Sequence, residues 1–156
     1  MRIATSVFTV AFGTALLFGA DVNAGASTPK DAAVKLLAES RSARQTASTL
    51  ANQLKDKNAD LSKVGDHIAA VEQNAAHIQQ LLETLESNSG SFNAKQKEAL
   101  DTSKKLAELM NVFLNNKKQM TQDGASSEER EAIRQQALGA AKRAELLEKN
   151  VMRMGL

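Results

Sequence analysis

The side chains able to do chemistry are few. The 156-residue sequence holds two histidines, His67 and His77, five methionines and no cysteine. Absence of cysteine removes disulfides, thiolate-bound zinc, iron–sulfur clusters, covalent c-type haem and thiol nucleophiles together. His67 and His77 are separated by about 80° around a helix of 3.6 residues per turn. They are not the i,i+4 pair that clips a metal to one helical turn, and they read as edge side chains. Met110, Met120 and Met154 lie on or near an apolar helical seam, where a methionine and a histidine across a bundle can hold a haem. Methionine at such places commonly fills a core. Aromatic residues, which usually wall a haem, are only 3% of the chain. No cofactor and no metal site is expected.

Motifs for catalysis are missing as well. There is no G-x-S-x-G, HExxH, P-loop or glycine-rich dinucleotide turn. The Glu-x-x-His arrangement of di-iron bundles does not occur, and the apolar seams described below carry no carboxylate. The chain reads as a protein without catalytic residues rather than an enzyme. Lys104-Lys105 and Lys117-Lys118 form the most basic stretch. They suit peripheral contact with an anionic surface, or else a solvated face paired with an acidic neighbour. A net charge of +2 is small, and no aromatics are interleaved with the lysines, so nucleic acid is not an expected partner.

The N-terminal segment carries an address rather than a fold. Arg2 precedes an uncharged apolar run from Ile3 to Ala20, closed by Asp21. Val22-Asn23-Ala24 then supplies small residues at the −3 and −1 positions of a signal-peptidase site, and Ala24-Gly25-Ala26 offers a second. Residues 1–24 read as a secretory signal peptide cleaved after Ala24, or alternatively after Ala26. An uncleaved anchor is the competing reading, but the run is short for a transmembrane span and is studded with Thr and Gly. Residues 25–28 are then a short linker, and 29–156 form a single soluble domain, secreted or periplasmic, with no further span.

That domain is expected to be all-α. Pro29 is the only proline. Thr28-Pro29-Lys30-Asp31 suits a helix start, with a capping hydroxyl, a proline at the first helical position and an acid at the positive end of the dipole. Ser87-Asn88-Ser89-Gly90-Ser91 and Thr121-Gln122-Asp123-Gly124-Ala125 read as loops, and Ser126 with Glu129 as a capping box. A turn at 57–60 would give helices over about 29–56, 60–87, 93–120 and 127–155, an antiparallel up-down-up-down four-helix bundle. Its rival is one long helix 29–87 packed with a helical hairpin. A turn at Gly65-Asp66 is a third option.

The long-helix option draws on an unbroken heptad frame. Ala47, Leu54, Leu61, Ile68, Ala75 and Leu82 fall at a; Leu50, Lys57, Val64, Val71, Ile78 and Leu85 fall at d. In the third segment Phe92, Ala99, Leu106, Met110, Phe113 and Met120 share a face, with Ser103 and Lys117 as gaps. In the fourth, Ile133, Ala137, Ala140, Ala144, Leu147, Val151 and Met154 keep a 4-3 spacing. Sustained a/d spacing holds one seam toward a neighbour, as in coiled coils and bundles. The second segment is strongly acidic and the third basic, so antiparallel neighbours would gain modestly.

Alanine-rich seams bury little area per residue, which leaves room for a partner or a second copy of the chain. The expected function is contact with a protein or an envelope surface. One alternative is a small-molecule or cofactor carrier, with a cavity near Met110, Phe113 and Ile68. Another is an amphipathic lipid-surface binder whose helices open.

Overall fold

A computed structural model of the chain describes residues 28–56, 61–120 and 126–156, and of 61 and 112–120 the backbone alone. Residues 1–27, on which the signal-peptide reading with Ala24 and Ala26 and most of the linker fall, residues 57–60 and 121–125, expected as a turn and a loop, and the side chains of Phe113, Lys117, Lys118 and Met120 lie outside the described residues.

Four helices follow in order: α1 Pro29–Lys55, α2 Val64–Ser87, α3 Ala94–Met120 and α4 Ser127–Met154. Single 3-10 turns, Leu61–Lys63 and Ser89–Ser91, precede α2 and follow it. The starts are chemically specified. Thr28 Oγ1 accepts from the Asp31 amide at 3.1 Å, and Pro29 occupies the first turn. Ser126 and Glu129 form the expected reciprocal capping box. A second such exchange opens α3: Asn93 N donates to Gln96 Oε1 at 2.9 Å and Gln96 N to Asn93 Oδ1 at 3.0 Å. Two orphan amides at that end are thereby satisfied. At the last stop, Gly155 takes the left-handed conformation with φ 58, which costs glycine nothing.

The long-helix alternative does not hold. At Asp56 the backbone is extended, φ −78 and ψ 120, which ends α1. Gly65 and Asp66 are not a turn either, since both lie inside the first turn of α2. The heptad frame survives the chain reversal because both helices must turn the same apolar stripe toward one core. All its positions with described side chains are buried, from Ala47 to Leu85.

Three clusters show the up-down-up-down order. At one end, Ala32, Ala33 and Leu36 of α1 meet Leu81, Leu82 and Leu85 of α2, Phe92 and Leu100 near the start of α3, and Val151 and Met154 of α4. In the middle, Ala47 meets Val71, Ala75, Ala140 and Ala141. At the other end, Leu50 and Leu54 meet Val64, Ile68, Ile133 and Ala137. The start of each odd-numbered helix thus lies beside the end of each even-numbered one. Each helix packs on the two beside it, α1 on both α2 and α4.

Among the described residues, twelve of the 29 buried apolar side chains are alanine, and nine of those twelve belong to α1 and α4. Small side chains let two helix backbones approach closely, and α1–α4 is the most extensive contact in the bundle, α2–α3 the least extensive of the four main helix pairs. The bulkier Ile, Val and Leu side chains of α2 fill the remaining space. Two buried serines need no outside partner. Ser40 Oγ donates to Leu36 O at 2.6 Å and Ser103 Oγ to Ala99 O at 2.8 Å. That local bond lets Ser103 stand in the seam as an apolar-sized residue.

Candidate functional site

Charged side chains pair both across the helix seams and along α4. Across α1–α4, Glu148 is buried, with its side chain 9% exposed. Arg44 Nε lies 2.8 Å from Glu148 Oε1, and Arg41 Nε lies 3.5 Å from Oε2. Arg41 and Arg44 sit three residues apart on α1, so both reach the same partner across the antiparallel seam. Glu148 follows Leu147, one position off the apolar 4-3 stripe, and so escapes a search of seam positions. Only the pairing of α1 with α4 shows that two guanidiniums meet it.

One turn earlier on α4, Glu145 Oε1 accepts from Lys149 Nζ at 2.6 Å and its Oε2 from Lys142 Nζ at 2.9 Å. These bonds, Lys149 first, hold the Glu145 carboxyl down at about 2. Nearer the start of α4, Arg134 donates Nε and Nη2 to the two oxygens of Glu131 at 2.8 and 2.7 Å. That fork, aided by Gln135, brings Glu131 to about 2 and raises Arg134 in turn. Arg130 Nη2 donates to Asp56 O at 3.1 Å, tying the end of α1 to the start of α4.

Across α1–α2, the buried Asn74 pins the two helices. Its amide, with oxygen toward α1, accepts from Ala43 N at 2.8 Å and Ser42 Oγ at 2.7 Å, while its nitrogen donates to Ala70 O at 2.8 Å. His77 Nδ1 lies 3.5 Å from Glu39 Oε1. His67 Nδ1 is 2.8 Å from Lys63 O on its own helix edge. Both histidines are half-buried edge residues that engage different neighbours. Among the described residues no group of three His, Cys, Asp or Glu is placed to hold a metal.

Lys104 donates to Glu86 Oε1 at 2.6 Å across α2–α3, and this bond raises the Lys104 ammonium above its ordinary value. Asn111 Nδ2 donates to Gln79 Oε1 at 2.9 Å on the same seam. The acidic second helix and basic third helix are neighbours with at least one direct ion pair, while Lys105 is exposed. A groove of about 160 Å³ opens beside that pair, floored by Leu82 and Ala107 and rimmed by Glu83 and Glu108. A larger hollow of about 390 Å³ runs between α3 and α4, with Lys95, Glu98, Asn150 and Arg153 around it.

Ile68 and Met110, expected to share a cavity, belong to clusters at different ends of the core. Met110 and Met154 are 1% and 2% exposed in the same apolar cluster, where they act as packing. No described helix is long and apolar enough to cross a membrane. The chain matches no known family, no curated protein and no solved structure.

Proposed function

We propose that this chain is an exported, non-catalytic helical bundle that acts by contact with a protein partner, another copy of itself, or an envelope surface. The observation that carries the reading is the direction of its polar chemistry. Buried Ser40, Ser103 and Asn74 are consumed by bonds within the bundle. Arg41 and Arg44, by contrast, are 58% and 47% exposed and present charge outward from an ordered seam. Helix bundles that turn their polar groups inward can build reactive centres; this one bonds Ser40, Ser103 and Asn74 within the bundle and presents the charge of Arg41 and Arg44 at its surface. Export rests on the apolar run after Arg2 and the small residues ending at Ala24.

Two experiments test the reading. N-terminal sequencing after expression of the full chain in a secreting host should give Gly25 as the first residue, or Ser27 if cleavage follows Ala26. A product retaining Met1 inside the cell would contradict export. Cross-linking in the native compartment, through photoreactive groups at exposed Arg41 and Lys105, should give discrete adducts from one face and none from the other. Diffuse adducts of equal yield from both would contradict a specific contact surface.

A further inference from the structure

Glu148 is the one buried acidic side chain among the described residues. An apolar residue of its size would serve stability as well or better, because taking an ion pair out of water offsets much of its attraction. The two guanidiniums it meets are used sparingly. Neither Arg41 nor Arg44 closes a hydrogen-bonded fork on the carboxylate: the nearest nitrogen of each is Nε, at 3.5 and 2.8 Å, and Glu148 Oε1 accepts no hydrogen bond. Arg134 is the contrast, closing both Nε and Nη2 on Glu131. The terminal amino groups of Arg41 and Arg44 make no hydrogen bond to protein among the described residues. Glu148 therefore draws two guanidiniums, 58% and 47% exposed, to one point on the seam.

We propose that Arg41 and Arg44 form a clamp for one phosphate-type oxyanion, with Glu148 as the positioning residue. A carboxylate ligand has two oxygens, which a single guanidinium fork saturates; a tetrahedral phosphate has enough for two forks. Charge agrees with this. Two guanidiniums meet the single carboxylate of Glu148, and the one positive charge left over suits an anion. The clamp goes beyond the contact reading, since it serves a soluble phosphorylated molecule as well as a phosphodiester headgroup.

The test follows the arginine Nε–Hε resonances of the purified protein during titration with inorganic phosphate, against sodium chloride at matched ionic strength. Arg41 and Arg44 should shift saturably with phosphate only, and Arg134 should stay in place. R41K/R44K keeps the charge and loses the forks, so phosphate should bind on the order of tenfold weaker or less, with the amide spectrum unchanged. E148Q separates positioning from charge. Removing a negative charge alone would tighten phosphate binding, whereas loss of positioning weakens it. A second arm floats the protein with phosphatidylglycerol or phosphatidylcholine vesicles. A saturable shift with free phosphate assigns a soluble ligand; flotation with phosphatidylglycerol that R41K/R44K abolishes, without that shift, assigns a headgroup. Absence of both overturns the clamp, as do equal shifts at Arg134 or tighter binding by E148Q.

Discussion

Removing the partners of Glu148 should cost far more than removing Glu148 itself. In the R41A/R44A double variant a carboxylate with a side chain only 9% exposed loses both cations. Stranding a buried charge costs about 3–5 kcal/mol, and the remaining edge of solvent access places this case near the low end, at about 3 kcal/mol. In Glu148→Ala the cations left behind are 58% and 47% exposed and simply rehydrate. The loss is then that of a solvent-accessible pair, about 1 kcal/mol. Arginine truncation also removes alkyl packing, so a third variant isolates the charge. Adding E148Q to R41A/R44A should recover about 2 kcal/mol, because a neutral amide replaces the orphaned carboxylate. In the parent background the same E148Q should destabilise. Urea unfolding followed by far-ultraviolet circular dichroism gives all the stabilities and completes the cycle. Equal costs for E148A and R41A/R44A, or no recovery with E148Q, would refute the desolvation reasoning.

Other consequences are simpler. Leu147→Ala empties a fully buried position in the α4 stripe and should lower stability by about 3–4 kcal/mol in the same urea assay. Gly65→Ala should stabilise by about 0.5–1 kcal/mol, since Gly65 is helical and an added Cβ meets nothing within 4 Å; destabilisation would mean that α2 does not begin at Val64. Glu131 and Glu145 are held at about 2 in the fold against an ordinary 4.5. Below 4.5 the unfolded chain binds more protons than the folded one, so their contribution is present above that pH and is lost as pH falls toward 2. The E131Q/E145Q variant should therefore lose less stability than the parent between those limits, although both ion pairs are exposed and screened by salt.

Much of the fold was legible because its specification is local. Thr28-Pro29, Ser126 with Glu129, and the 4-3 stripe from Ile133 to Met154 each declare a helix or its inward face within a few residues. The capping exchange of Asn93 with Gln96 was written in the same kind of spacing and adds a clean start to α3. The continuous heptad through 57–60 was ambiguous for a physical reason: a chain reversal between two helices of one bundle need not interrupt the seam. The charged site was harder to read. Glu148 is an ordinary surface letter in a heptad, and Arg41 and Arg44 are ordinary letters on another helix. Their meeting depends on which helix lies beside α1, and alanines spread over both helices encode that choice by allowing close approach. The lysine pairs were legible as charge, but only the packing of α2 on α3 shows that Lys104 is engaged by Glu86.

The pairing of helices underlies all of this, and a distance measurement tests it directly. The chain has no cysteine, so spin labels at Lys30→Cys and Ser87→Cys would be the only two. Both sites are exposed, at the start of α1 and the end of α2. Adjacent antiparallel helices place the labels roughly 10–25 Å apart, given helix axes about 8–10 Å from each other and the reach of the labels. Pulsed electron–electron resonance should find that short distance as a single population. A separation of roughly 85 Å, the span of one continuous helix over the same residues, would contradict the bundle and remove the seam on which Arg41, Arg44 and Glu148 meet.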